Sequence, residues 1–448
     1  MANTGGLAAW DARTLASRRL GLPYLPIVWP RAKCFDSMER RVVITAAAAL
    51  TPIGVTRAQI WDNLVHGVSG VRPLRPDPLL GARLRCQVFG TIDPPPEIQF
   101  ERKYRKTMGP VALYACQTAK EVLEQVGLSP EVLASGRVGV AFGSLHGSPS
   151  VQRTVYEAFL SHTDSKFHAI SAADYLKAMA HTTVVNIART FHITGRVISS
   201  CTACTTSSQS IGFGYEAIKF GMQDAMLCGG ADEYDTTTVA VFDHLQATST
   251  GYNGAPSRTP RPFDAKRDGM VVGEGAGAVM LEELEAAQRR GATILGEVIG
   301  FGCGNNGGDM ILPNQHGVEQ TLALALESAR LAPDAVDFVS AHATATRMGD
   351  VVEAQAIRQK FGERAWVSGF KGHFGHTMGA CGVIEAIAVL LMMEHGAIVP
   401  TLNLEEVDPR CAVVRHTLQV REERIGVAAV QSFAFGGVNT CLFLRRFE

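Results

Sequence analysis

The sequence predicts an α/β fold whose sheets are covered by helices on both faces. Three observations carry that expectation. Short continuous apolar runs, such as Arg137-Val-Gly-Val-Ala-Phe-Gly143 and Asp224-Ala-Met-Leu-Cys-Gly-Gly230, read as strands buried on both sides. These runs alternate with longer segments of helical apolar spacing, such as Ile211, Phe213, Ala217, Ile218 and Phe220. The chain also carries 45 glycines among 448 residues, which favours tight helix–sheet packing over disorder. With 46% hydrophobic and 19% charged residues, it can bury more than one core, or one duplicated core.

Taken in order, Arg41 to Gly54 reads as a buried strand closed by a Pro/Gly turn, and Ala58 to Leu64 as a helix. Two proline-rich loops follow. The basic run Arg102-Lys-Tyr-Arg-Lys106 leads toward a helix from about Ala112 to Val126. Such a run is either a solvated helix start or a docking patch for an acidic partner. Residues 150–196 read as mostly helical. Gly269 to Leu281 reads as a strand pair with a glycine-rich bend. It has neither the GxGxxG nor the Lys-Ser/Thr of a phosphate loop, which argues against nucleotide binding. From Ala292 the pattern partly restarts. Strands are expected at Ile294–Phe301, Val336–Ser340, Trp366–Gly369, Val427–Phe433 and Asn439–Leu444, with helices between. Both halves place a reactive residue just past a buried strand, which hints at duplication. The expected division is a leader over 1–38, a first half over 39–290 and a second over 291–448.

Composition narrows the function. A net charge of −1 gives no global field for nucleic acid or a membrane surface. No apolar run reads as a membrane span; the longest, Ile384 to Met393, contains Glu385 and is short. Ten scattered cysteines lack a disulfide framework and point to a reducing, cytoplasmic setting. The leader is basic but broken by Pro23, Pro26 and Pro30, unlike an amphipathic transit peptide.

The most reactive-looking stretch is Val197-Ile-Ser-Ser-Cys-Thr-Ala-Cys-Thr-Thr206, read as strand, tight turn and buried helix. It puts Cys204 at a helix start, where free N–H groups favour a thiolate. Small neighbours leave room for a substrate. Cys201 and Cys204 also form a CxxC, but a zinc site needs a second pair and a redox pair needs a different context. Three later loops look built for chemistry: Ala341-His-Ala-Thr-Ala-Thr346, Lys371-Gly-His-Phe-Gly-His376 and Phe433-Ala-Phe-Gly-Gly-Val-Asn439. A cysteine and two histidine donors can accept an acyl group and stabilise an oxyanion. Taken singly, His342 or His376 reads more readily as a satisfied structural histidine than as a catalytic one.

In this order, with Gly379-Ala-Cys-Gly382, Arg261-Pro-Phe-Asp264 and Arg267 to Gly277, these motifs resemble the β-ketoacyl-[acyl-carrier-protein] synthases of the elongating Cys-His-His type. The resemblance covers most of residues 40–448. It implies a thiolase-like αβαβα sandwich of two related halves. It implies an acyltransferase of fatty-acid, polyketide or polyene biosynthesis that joins a malonyl unit to an acyl chain on Cys204, with loss of CO₂. His342 and His376 would hold the enolate oxygen. Lys371 would hold the histidine network and Glu385 would support it. Thr344 and Thr346 would bind the phosphopantetheine arm. The N–H groups of Cys204 and Phe435 would form the oxyanion hole, with Phe433 and Phe435 in a gating loop. No metal or bound cofactor is implied. The substrates ride on phosphopantetheine of an acyl carrier protein. A homodimer, or a heterodimer with a chain-length-factor-like subunit, is implied.

Two departures stand out. The family usually has His-Gly-Thr-Gly-Thr where this chain has His342-Ala-Thr-Ala-Thr346, and each alanine resists positive φ. Gly302 to Asp309 also differs from the common fatty-acid enzymes, which favours a specialised synthase. The chief rival is a non-catalytic chain-length partner of the same fold, which would lack the nucleophile. A thiolase would need a second cysteine in a glycine-rich motif, and an initiating synthase an Asn in place of His376.

Overall fold

The computed structural model describes residues 39–448, so the leader expected over 1–38 lies outside the described residues. Two sets of strands share one plan. The first is β1 (Val42–Leu50), β2 (Val138–Gly143), β3 (Val197–Ser200), β4 (Ala225–Asp232) and β5 (Gly275–Glu283). The second is β6 (Gly296–Asn305), β7 (Phe338–Ala341), β8 (Trp366–Gly369), the two-residue β9 (Arg415–His416), β10 (Val427–Phe433) and β11 (Val438–Arg445). The spatial order is β9-β8-β7-β10-β11-β6-β1-β5-β4-β2-β3. Setting β9 aside, each set runs third, second, fourth, fifth, first. In both, the third–second and second–fourth pairs are parallel, and the fourth–fifth and fifth–first pairs antiparallel. The duplication hinted at by two post-strand reactive residues is therefore plain in the topology. The sets join where β1 meets β6, from Val42↔Val298 to Ile44↔Gly296.

Five principal helices complete the layers: α1 (Pro110–Val126), α2 (Thr206–Lys219), α3 (Gln315–Ala329), α4 (Gly349–Phe361) and α5 (Cys381–His395). The pleat decides which layer each strand residue serves. Along β1, Ala47 and Ala49 face the cluster that holds α2 and α5, while Ala46, Ala48 and Leu50 face the one that holds α1. Along β11, Leu442 and Leu444 join the α2/α5 cluster, while Cys441 and Phe443 join the one with α3 and α4. The result is a five-layered αβαβα arrangement with α2 and α5 in the centre. They approach closely at small residues: a Cβ on Gly382 would come within 2.9 Å of Ser208. The Ser207 hydroxyl accepts the Val383 N–H at 3.0 Å across the same seam.

Two expectations change. Gly269 to Leu281 is one strand, β5, and not a pair. Residues 270–273 make only isolated bridges, because the chain passes so close to Phe374 that a Cβ on Gly273 would sit 2.6 Å from its carbonyl oxygen. The apolar run around Ile384 extends over Met378–His395, long and apolar enough to cross a membrane, yet 89% of it is buried inside the protein. It is the central-layer helix, apolar all round because it is covered all round.

The second half of the site is clamped by Arg267, which is 3% exposed. Its guanidinium donates to Asp408 at 2.8 Å, to the Arg347 carbonyl at 2.8 Å and to the Thr346 carbonyl at 3.2 Å. Asp408 also pairs with Arg410 at 2.7 Å, but the buried Asp350, 3.6 Å from the Arg267 guanidinium, would lose its cation, and removing one member of a buried ion pair costs about 3 kcal/mol. Arg267→Ala is expected to lower the urea-unfolding stability by that amount; a loss below about 1 kcal/mol would contradict the clamp.

Candidate active site

Equivalent points of the two repeats build the site. The connection from β3 to α2 carries Cys204, and the connection from β8 to α5 carries Lys371 and His376. Both pass through a non-glycine residue in the left-handed region three positions before the helix, Ala203 at φ 50° and Met378 at φ 49°. His342 follows β7, and Phe433 ends β10. All four connections open at the same end of their sets, where α/β proteins build sites.

The structure brings the sequence-predicted residues together. His376 Nε2 lies 3.0 Å from Cys204 Sγ. The His342 and His376 rings are 5.1 Å apart and nearly perpendicular. Phe433 packs edge-on to His342 at 5.8 Å. Lys371 Nζ is 2.7 Å from Glu385 Oε1 and 3.3 Å from His342 Nδ1. Phe435 stacks on Phe242 at 5.4 Å. The Thr344 and Thr346 hydroxyls are 3.1 Å apart. A cavity of about 520 Å³ is lined by Cys204, both histidines, both threonines and both phenylalanines.

Burial decides the protonation states. The Cys204 thiol is pushed up to about 12, chiefly by burial, against Lys371 and the backbone N–H groups of Cys204 and Phe435. The expectation of a helix-start thiolate is thus corrected: desolvation outweighs the N–H groups, and the resting group is a thiol. His342 and His376 are both held well below the ordinary 6.5 by burial and by the Lys371 charge. Lys371 stays charged. Burial opposes its charge, but the Glu385 carboxylate outweighs it. The ammonium facing His342 Nδ1 fixes that ring as the Nε2–H tautomer. His376 Nδ1 is buried without a hydrogen-bond partner, so nothing fixes its tautomer. Buried neutral histidines contribute stability that is complete above about pH 6.5 and lost as the pH falls below it, because the unfolded chain then binds the extra protons.

Two residues not singled out by the sequence reading, Glu353 and Asp232, hold the frame with Cys381 of the Gly379-Ala-Cys-Gly382 motif. Glu353, on α4, accepts the His342 and Ala343 N–H groups at 2.7 Å each. Asp232, at the end of β4, accepts the Gly379 N–H at 2.7 Å and the Leu145 N–H at 3.1 Å. Burial pushes each carboxyl up to about 8. Cys381 donates its thiol to the Cys204 carbonyl at 3.1 Å. The sequence around Asp232 and Glu353 gives little signal, since Asp232 opens the acidic run Asp232-Glu-Tyr-Asp235 and Glu353 lies in a helix that also carries Asp350 and Gln355.

Metal chemistry is a poor match. Cys204, His342 and His376 place ligand atoms within 4.8 Å of one another, but the Lys371 ammonium, 3.3 Å from His342 Nδ1, opposes a second cation beside it. His342, Cys381 and Glu385 do the same, but the Lys371 ammonium already sits against two of them.

The alanines of the His342 loop both take positive φ, 31° at Ala343 and 64° at Ala345. The loop thus holds two alanines in a region of φ that favours glycine, and the resistance of alanine to positive φ appears as backbone strain. Left-handed alanine costs about 1 kcal/mol. Ala345→Gly is therefore expected to stabilise the protein by up to about 1 kcal/mol by chemical denaturation, whereas the same change in a helix costs about that much. Destabilisation would show that the strain is absent.

The geometry agrees with the comparisons. The family model of the β-ketoacyl synthase N-terminal domain matches residues 39–287, and that of its C-terminal domain residues 295–405. A 3-oxoacyl-[acyl-carrier-protein] synthase 1 of Escherichia coli (strain K12) is 34% identical over 411 residues, 91% of this chain and 100% of that protein. The tetracenomycin polyketide synthase ketoacyl synthase alpha subunit of Streptomyces glaucescens is 33% identical over 91% of this chain and 97% of its own length. The crystal structure of a β-ketoacyl synthase from Burkholderia phymatum STM815 superposes with a TM-score of 0.86 at 39% identity, covering 91% of this chain and 100% of that one. Two matched halves, full-length relatives and the repeated thiolase-like topology place the chain in the β-ketoacyl synthase family.

Proposed function

We propose that the protein is an elongating β-ketoacyl-[acyl-carrier-protein] synthase, and that the Cys204–His376–His342 arrangement performs its chemistry. The observation that carries this reading is the 3.0 Å contact between His376 Nε2 and the Cys204 thiol, with a second neutral imidazole 5.1 Å away. Cys204 Sγ attacks an acyl thioester. Its proton passes to His376 Nε2 and on to the departing pantetheine sulfur, leaving an S-acyl enzyme and a free carrier thiol. The Cys204 and Phe435 N–H groups, both acting on the sulfur, are placed to hold the tetrahedral oxyanion.

In the second half-reaction a malonyl thioester enters the cavity. Its carboxylate leaves as CO₂, and the remaining electron pair forms an enolate. His342 Nε2–H is an enforced donor to that oxygen. His376 becomes the second donor by carrying its proton on Nε2, which its unpartnered Nδ1 permits. One ring can therefore act as base in acyl transfer and as donor in decarboxylation. The enolate carbon attacks the S-acyl carbonyl, the C–S bond breaks, and the Cys204 thiolate takes one proton from solvent. The products are a β-ketoacyl thioester two carbons longer and CO₂. Lys371 and Glu385 position His342. Thr344 and Thr346 offer hydroxyls to the pantetheine amides, and Phe433 and Phe435 form the movable wall.

Supporting this reading over a non-catalytic chain-length partner is the nucleophile itself, buried with its base in place. The exposed basic run Arg102 to Lys106 suits an acidic carrier protein. The family reading makes the working unit a dimer, with a second copy or a chain-length-factor-like subunit. The nine described cysteines are all free, which supports a cytoplasmic setting.

Incubation with acyl carrier protein should leave one acyl adduct on Cys204 by intact mass. An adduct that persists in Cys204→Ala contradicts the assignment. His376→Ala should lower condensation at least 100-fold, since one oxyanion donor alone is worth about that factor. Unaltered CO₂ release and product formation would remove His376 from the mechanism.

A further inference from the structure

The segment after β7 leads from the floor of the cavity to its mouth. His342 is buried, Thr344 and Thr346 are partly covered, and Arg347 is exposed. All four line the same cavity. The main chain that carries Arg347 is fixed, because Arg267 holds the carbonyls of Thr346 and Arg347 at 3.2 and 2.8 Å. The Arg347 guanidinium itself has no ion-pair or hydrogen-bond partner among the described residues.

The other arginine on this cavity wall, Arg85, is committed. Arg85 lies 3.5 Å from Asp243 through Nε and also donates to the Asp243 carbonyl. Asp268 turns Oδ2 to the Thr250 and Gly251 N–H groups, at 3.0 and 2.7 Å, and keeps Oδ1 buried without a hydrogen-bond partner. Glu353 is engaged with the His342 and Ala343 N–H groups. Arg347 is thus the uncommitted cation of the lining, displayed on a fixed main chain at the outer end of a row that begins at His342.

We propose that Arg347 is an anion subsite that binds the phosphate of the phosphopantetheine arm. This rests on the proposed function, which brings such an arm into the cavity sulfur-first. The arm has its thiol at one end and its phosphate at the other. When the sulfur is at Cys204 and the arm passes Thr344 and Thr346, the phosphate is the part left near the mouth. A guanidinium fork suits phosphate oxygens by two parallel charge-assisted hydrogen bonds, and Arg347 has nothing to surrender in making them. Arg347 is then a specificity-determining residue that selects phosphorylated carriers over bare pantetheine thioesters.

The test uses protection of Cys204 from alkylation, a readout that needs no carbon–carbon bond formation. The full-length protein and its Arg347→Gln and Arg347→Lys variants are treated with iodoacetamide in the presence of pantetheine, 4′-phosphopantetheine or coenzyme A. In the unmodified protein, phosphopantetheine should half-protect at a concentration about tenfold below that of pantetheine. In Arg347→Gln that ratio should collapse to about one, and Arg347→Lys should recover part of it. Coenzyme A should match phosphopantetheine, assigning the site to the shared 4′-phosphate. The inference is overturned if the unmodified protein does not distinguish the first two ligands, or if Arg347→Gln still does. It is also overturned if the Arg347 effect is confined to coenzyme A, whose nucleotide would then be the bound part. Loss of condensation with the protection ratio intact would count against the proposed function and leave the subsite standing.

Discussion

The buried pair of Lys371 and Glu385 is the constraint on which the site depends. Their side chains are 1% and 2% exposed and 2.7 Å apart. Burying two charges costs several kcal/mol per ion, and a pair of this kind is seldom retained for stability alone. Here it sets the electrostatics around the nucleophile. The ammonium works against protonation of both imidazoles and fixes the tautomer of His342. It also lowers the Cys204 thiol against the stronger pull of burial. Without the carboxylate, the lysine would be driven neutral and the histidines would lose their common reference.

The repeated topology explains how such a site is assembled from distant sequence. Cys204 and His376 sit at equivalent places in the two repeats, each between a third strand and a central helix. Packing α2 on α5 at Ser207, Ser208 and Gly382 brings those places face to face. The remaining parts arrive from neighbouring strand ends, His342 after β7 and Phe433 at the end of β10. Two carboxyls buried in the frame, Asp232 and Glu353, tie the loops by their main-chain N–H groups and leave the side chains free to face the cavity.

Much of this was legible in the residues. Buried strands announce themselves as short apolar runs, and Cys204, His342, Lys371, His376 and the Phe433 loop each follow or end such a run. What was not legible is mainly a matter of competing forces and long-range contacts. A helix start argued for a Cys204 thiolate, but the extent of its burial is set by α5 and the 433–437 loop, far away in sequence. Gly269 to Leu281 looked like two strands because its glycines suggested a bend; they instead admit close neighbours, Phe374 at Gly273, Ile384 at Gly275 and Val383 at Gly277. Glu353 drew no notice, since nothing local reveals that its carboxyl reaches back to the N–H groups of His342 and Ala343. The alanines at 343 and 345 resist positive φ, yet both take it, in a loop whose main chain donates to Glu353 and accepts from Arg267.

The central claim is that two neutral imidazoles face the thiol, one of them with a fixed tautomer. Nitrogen-15 NMR of histidine-labelled protein reads this directly, with His342→Ala and His376→Ala used to assign the two rings. Both rings should remain neutral as the pH falls from 8 through 6.5, with His342 protonated at Nε2 alone. An imidazolium signal from either ring at pH 7, or a His342 proton on Nδ1 facing Lys371, would contradict it.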